Sequence, residues 1–342
     1  MRRFGIQLLA AATLSVLVAC AGTTSTLPAA HAAPDAARVR RPRGSALTIP
    51  YFESSFSYAG SIYSYRMVGT DPAGPAATTT VPAAIVPVRF VFSDGTTLDG
   101  TSVAGAIPRS PLFTNARFAA GTTQYGDALM RAQFWKYAAK KNYHVLLATP
   151  TVEPTVQVSV PSADGYTVQN NGNTRGLVTF DWFVQTEEMQ IISQLGIRPT
   201  TLTIFATADT MVLEPSGYCC YRGYHQAFPV ATSSGTQIWT TAWASLTRKG
   251  MKPLSHEIAE WLSDPFYDNA VASWISPESG ACGGSLLEVG DPVTKYSVKA
   301  DGYLMQDETF FSWFARQRPS IGIDGRYDLA AKLRSPATSC PT

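Results

Sequence analysis

Ser255-His256-Glu257-Ile258-Ala259-Glu260-Trp261-Leu262-Ser263-Asp264-Pro265 is the stretch on which the reading of this chain turns. The apolar positions Leu254, Ile258, Trp261 and Leu262 recur at helical spacing, which predicts a short helix. Asp264-Pro265 ends it, because proline breaks the hydrogen-bond ladder and restricts the residue before it. On such a helix His256 and Glu260 stand four positions apart and share a face. An imidazole nitrogen and a carboxylate oxygen on consecutive turns are donors that a divalent transition metal accepts together. The competing reading is an ordinary amphipathic surface helix, with the apolar stripe inward and His256 and Glu260 in water.

A metal site needs donors from elsewhere in the chain. Glu288 and Asp291, in Leu287-Glu288-Val289-Gly290-Asp291, are the leading candidates, with Gly290 expected to permit a turn that aims both carboxylates inward. His225, closing Cys220-Tyr221-Arg222-Gly223-Tyr224-His225, is the other. Glu257 is the expected general base, since in the related H-E-x-x-H design the glutamate after the first ligand takes a proton from water on the metal. Zn²⁺ suits the mixed donors, and the preponderance of carboxylate oxygen admits Mn²⁺ or Ca²⁺.

The N-terminus reads as an export signal over 1–20. Arg2 and Arg3 precede an apolar run from Ile6 to Val18, and Leu17-Val18-Ala19-Cys20 resembles a lipobox with Cys20 as the lipidated residue. Cleavage after Ala30-His31-Ala32 is the alternative. A tether rich in Ala, Pro and Thr follows over 21–45, leaving 46–342 as the globular domain. No other stretch has the roughly 18 apolar residues of a membrane helix, so the chain is read as exported and held to a membrane only through lipid.

Two of the 27 basic residues fall in the first 20 positions and none of the 25 acidic ones, so 25 of each sign remain. That balance argues against a nucleic-acid partner. The expected partner is the peptide or cell-envelope ligand of a metal-dependent hydrolase, and the chain is read as a monomer. Cys219, Cys220, Cys282 and Cys340 form an even set, which in an exported chain predicts two disulfides. Neighbouring cysteines seldom bridge each other, so each of Cys219 and Cys220 is expected to pair with Cys282 or Cys340. A bridge to Cys282 would staple the His225 loop to the Glu288 loop.

Elsewhere helix and strand signals mix. Val81–Phe92 reads as a strand entering a turn at Asp94-Gly95, with Pro82 and Pro87 pushing it to a sheet edge. Tyr125–Lys140 and Phe183–Leu195 read as helices, and His144–Ala148, Thr201–Ala206 and Ile238–Ala244 as strands. Glu187-Glu188 is expected to face solvent, His144 to be a satisfied core or edge histidine, and the aromatics Phe310, Phe311, Trp313 and Phe314 to pack in a core. The signatures of serine hydrolases, P-loops and dinucleotide folds are absent.

Gly223-Tyr224-His225, the H-E-x-x-E helix with Asp264-Pro265, Trp274 and Glu288-Val289-Gly290-Asp291 together resemble uncharacterised bacterial exported proteins with zincin-like helices. More distantly they resemble the Exordium, or phosphate-induced, extracellular family. The likeness covers residues 201–315. It implies an α+β, zincin-like fold with an active-site helix below a mixed sheet and an irregular C-terminal subdomain. It carries His225, His256, Glu257, Glu260, Glu288 and Asp291 as site residues. It implies no settled activity, these proteins being extracellular or cell-wall-associated factors. The motif itself sets the expectation of a metallopeptidase-like hydrolase, with a cell-wall-associated binding module holding a structural metal as the alternative.

Overall fold

The computed structural model describes residues 47–214, 219–247 and 250–341. The export segment, Cys20 and the tether lie outside them. Among the described residues no helix is long and apolar enough to cross a membrane.

The architecture is mixed α and β around one twisted sheet. Its main strands are β1 (Ala83–Phe92), β2 (Val156–Val160), β3 (Leu202–Ala208), β4 (Gly223–Thr232) and β5 (Gly235–Leu246). They lie side by side in the order β2-β1-β3-β5-β4. The first three pairings are parallel, and β5 turns back antiparallel onto β4 through a hairpin that leaves β4 at the end of this order.

Strand β1 is central, not an edge. Its residues Ala83 to Val88 are all buried, as a strand covered on both faces requires. Pro87 is tolerated because of where it falls. On one side Thr151–Val152 has stopped pairing at Ile85 and β2 begins only at Val88; on the other, Pro87 is the last position paired with β3. The missing N–H therefore coincides with a break in the ladder.

Alternation along the strands sorts side chains between two cores. Val86, Val88, Phe90, Phe205, Tyr224 and Trp243 face the layer containing α2 (Glu188–Leu195), with Ile191 and Ile192. Ile85, Ile204, Ala206, Ala242 and Ala244 face the layer containing α1 (Tyr125–Gln133) and α3 (Lys252–Ser263). Trp239 and Trp243 share the α2 side, as their spacing predicts. Phe310, Phe311, Trp313 and Phe314 are buried on the α3 side against Trp274 and Phe134, so these aromatics are core.

Helix α3 ends at Ser263, as Asp264-Pro265 predicts, but it is not a surface helix. Leu254, Ile258, Ala259, Trp261 and Leu262 are buried, and so are Glu257 and Glu260 on the remaining side. Full burial of Ile258 alone is worth roughly 1.5–3 kcal/mol. That apolar contact holds the helix under the sheet and commits its polar face to the interior.

The expected solvent position of Glu188 is also overturned. Its carboxyl is fully buried, accepting hydrogen bonds from Tyr224 Oη (2.6 Å) and Thr241 Oγ1 (3.0 Å). The cause is helical phase: Glu188 stands four residues after buried Val184 and four before buried Ile192, on the stripe that meets the sheet. His144 sits on a short strand at the margin, its Nδ1 2.9 Å from the buried Asp127 carboxylate, which matches the edge-histidine expectation.

Candidate metal centre

On a helix advancing about 100° per residue, His256, Glu260 and Glu257 fan out at roughly 0°, 40° and 100° around the axis. Glu260 therefore stands between the other two. His256 Nε2 lies 3.1 Å from Glu260 Oε2. Asp291 reaches the same group from outside, with Oδ1 3.8 Å from His256 Nε2. On the other flank His225 Nδ1 lies 3.7 Å from both Glu257 Oε2 and Glu260 Oε2. Five donor side chains thus form two triads, His256–Glu260–Asp291 and His225–Glu257–Glu260, meeting at Glu260.

Each element aims its residue for a local reason. In β4, alternation puts Tyr224 on the α2 face and His225, paired opposite Ala242, on the α3 face. In the 287–291 loop, Leu287 and Val289 are fully buried anchors, which leaves Glu288 between them turned toward α3. The Glu288 carboxyl lies beside that of Glu260, and Glu288 Oε1 is buried without a partner. Gly290 does not serve as a left-handed turn, since its φ is −82°. It is glycine because the imidazole of His256 lies against it: a Cβ there would stand 2.2 Å from Nδ1. Its N–H donates to Glu260 Oε1 at 3.1 Å.

Sequence reasoning named every donor of both triads but missed three supports. Asp264 was read only as a helix stop; its carbonyl oxygen accepts from His225 Nε2 at 3.1 Å. Gly223 leaves room for Glu257, whose Oε1 would be 2.4 Å from a Cβ on that residue. Tyr267 packs its ring edge-on to His225 at 5.5 Å. Periodicity carries no signal for any of them.

The cysteines do not staple the site. Cys219 pairs with Cys220, and Cys282 with Cys340. The segment 273–275 explains the second pair: Ile275 bridges to Cys282 on one side while Trp274 bridges to Ser339 on the other. This brings the Cα atoms of Cys282 and Cys340 to 5.5 Å, within disulfide reach. With both committed, each of Cys219 and Cys220 has only its neighbour. The donors converge through packing of α3 instead.

Electrostatically the cluster is a nest of carboxyls without a strong base. Among the described residues the only basic side chains within ion-pair distance of Glu257, Glu260 and Asp291 are the two histidines. Burial pushes Glu257, Glu260 and Glu288 well above the ordinary carboxylate range, and neighbouring carboxyls push each further. Burial also drives His225 down to about 3, partly opposed by its bond to Asp264, and lowers His256. Without a cation the carboxyls hold protons and the imidazoles are neutral. A divalent ion fits this donor set by displacing those protons, and the orphaned Glu288 oxygen shows coordinating capacity that the protein itself leaves unfilled.

The two flanks differ in access. The side chains of His256 and Asp291 are 16% and 37% exposed, whereas His225, Glu257 and Glu260 are 2%, 6% and 3% exposed. The His256–Asp291 flank is the one that meets solvent. No family model, curated protein or solved structure matches this chain.

Proposed function

We propose that this is an exported metal-binding protein of zincin-like design, holding Zn²⁺ or Mn²⁺ through His256, Glu260 and Asp291. Its activity is that of a metallopeptidase-like hydrolase, acting on a peptide or cell-envelope substrate. The observation that carries this reading is the meeting of His256 Nε2, Glu260 Oε2 and Asp291 Oδ1 at the one flank of the buried cluster open to solvent.

A divalent cation bound there supplies Lewis-acid polarisation of a carbonyl and acidification of water. The rest belongs to side chains. Glu257, one position along the helix, is the proton acceptor; its burial favours holding a proton once it has taken one. Gly290 orients the centre by pinning Glu260 Oε1 and flanking the His256 ring.

One observation favours a structural metal as the second reading. Two carboxylates formally neutralise a dication, which weakens it as a Lewis acid relative to a site with two imidazoles and one carboxylate. Metal analysis and peptide-hydrolysis assays of wild type and Glu257→Gln separate the two. The hydrolase reading expects stoichiometric metal in both proteins and activity lower by about 10²–10⁴-fold in the variant. Metal without any activity in wild type supports the structural reading, and absence of stoichiometric metal overturns both.

A further inference from the structure

We propose a second cation position on the inner flank of α3, formed by His225 Nδ1, Glu257 Oε2 and Glu260 Oε2, with Glu260 Oε2 shared between two divalent ions. It rests on the reading of α3 as a metal-bearing helix and deepens it to a two-metal centre.

The hydrogen bonds around His225 carry the argument. A carbonyl oxygen can only accept, so the 3.1 Å bond to Asp264 O fixes the ring proton on Nε2. Nδ1 is then a bare lone pair, and it faces two carboxylate oxygens at 3.7 Å each. At 3.7 Å neither oxygen is within hydrogen-bond reach of that lone pair, so it is left without a partner in the protein. It is the spacing of ligands about 2.1 Å from one common ion, opened by about 120°. Metal-ligating histidines characteristically donate their other ring N–H to a backbone carbonyl or carboxylate, as His225 does.

Glu260 supplies the link. Its Oε1 is occupied by the Gly290 N–H, so Oε2 is the oxygen left for cations, and both histidines approach it, His256 at 3.1 Å and His225 at 3.7 Å. Ions bridged in this way stand about 3.5–4 Å apart, the spacing of two-metal hydrolytic centres. Gly223 completes the inner position: only a residue without Cβ lets β4 close over the Glu257 carboxyl. Glu257 serves as a ligand whenever the inner position is filled, and as proton acceptor only when the outer ion is bound alone. The inner position is sealed by burial, so its ion exchanges more slowly than the outer one.

The test uses the purified protein stripped with chelator, saturated with Mn²⁺ and freed of excess. Metal per chain is measured by mass spectrometry and the spin state by electron paramagnetic resonance. Two Mn²⁺ per chain with an exchange-coupled spectrum are expected, falling to one uncoupled ion in His225→Phe, which keeps an aromatic ring but no donor. One uncoupled ion in wild type overturns the inner position and leaves the outer site standing; no bound ion overturns both. Two uncoupled ions, or two ions retained by His225→Phe, overturn the shared oxygen or the role of His225. Should His225→Phe fail to fold, stoichiometry and coupling in wild type still decide.

Discussion

The imidazole of His256 rests on the Cα of Gly290, so closely that a methyl group at position 290 would stand 2.2 Å from Nδ1. Two elements of the candidate centre, α3 and the 288–291 loop, are thereby locked at a single residue that also donates its N–H to Glu260. Gly290→Ala is therefore expected to displace His256 without any penalty of backbone conformation, because φ at 290 is ordinary for alanine. Overpacking of this kind costs about 1–3 kcal/mol. Metal affinity, read by competition with a chromophoric chelator, is expected to fall about 10–100-fold, as for other losses of outer-shell support. Unchanged affinity would show that the His256 ring does not take part.

Tyr224 and His225 are consecutive on β4 and point to opposite faces of the sheet, which ties the buried Glu188 to the centre through one strand. Burial raises Glu188 to about 8, so at neutral pH it is largely protonated. Glu188→Gln preserves its shape and neutrality and is expected to be close to silent. Glu188→Ala strands the Tyr224 and Thr241 hydroxyls and is expected to lower unfolding free energy by about 1–3 kcal/mol, measured by urea denaturation. Equal stability of the two variants would mean that the hydroxyls find other partners.

Much of this was written in the chain. The strand at Thr201–Ala206, the helix ended by Asp264-Pro265 and the buried aromatics from Phe310 follow from side-chain period and burial, which are local properties. The donors of both triads were legible because imidazole and carboxylate on adjacent turns are chemically specific. What was hidden depends on tertiary contact. Pro87 argued for an edge because the sequence does not reveal that its neighbours break where it sits. Gly290 was taken for a turn because the His256 ring that excludes a side chain comes from 34 positions earlier. The cysteine pairing turned on the bridges around Ile275, which join segments remote in sequence.

The Cys282–Cys340 bridge closes a separation of 58 residues that contains Glu288 and Asp291 but touches none of the donors. Loop-closure entropy predicts a loss of about 4 kcal/mol when it is removed. Cys340→Ser with Cys282→Ser is expected to lower the unfolding free energy by that order while leaving metal stoichiometry unchanged, since α3 packing and not the bridge gathers the ligands. Loss of metal from a double variant that remains folded would restore the disulfide to the site.

Buried carboxyls and buried imidazoles set opposite pH dependences in the metal-free protein, and their numbers decide which prevails. Glu257, Glu260 and Glu288 have folded values raised above the unfolded ones, so the folded state binds more protons and stability falls as pH rises past about 4.5. His225 and His256 have depressed values, which makes stability rise with pH from the folded value, about 3 for His225, up to the unfolded value near 6.5. Asp264, raised to about 7, Glu188 and Asp307, raised to about 8, and the raised Asp291 and Glu308 add to those three glutamates, so between roughly 4.5 and 6.5 the carboxyls outnumber the two imidazoles. Above 6.5 the imidazoles contribute nothing and each carboxyl still protonated costs about 1.4 kcal/mol per pH unit. The metal-free protein is therefore expected to lose thermal stability most steeply from pH 6.5 to 8. Saturating Zn²⁺ or Mn²⁺ is expected to flatten or invert that slope, because the ion takes the place of the protons. Thermal unfolding followed by circular dichroism across this range, with and without metal, measures both slopes, and parallel curves would mean that the carboxyls are not the ligands.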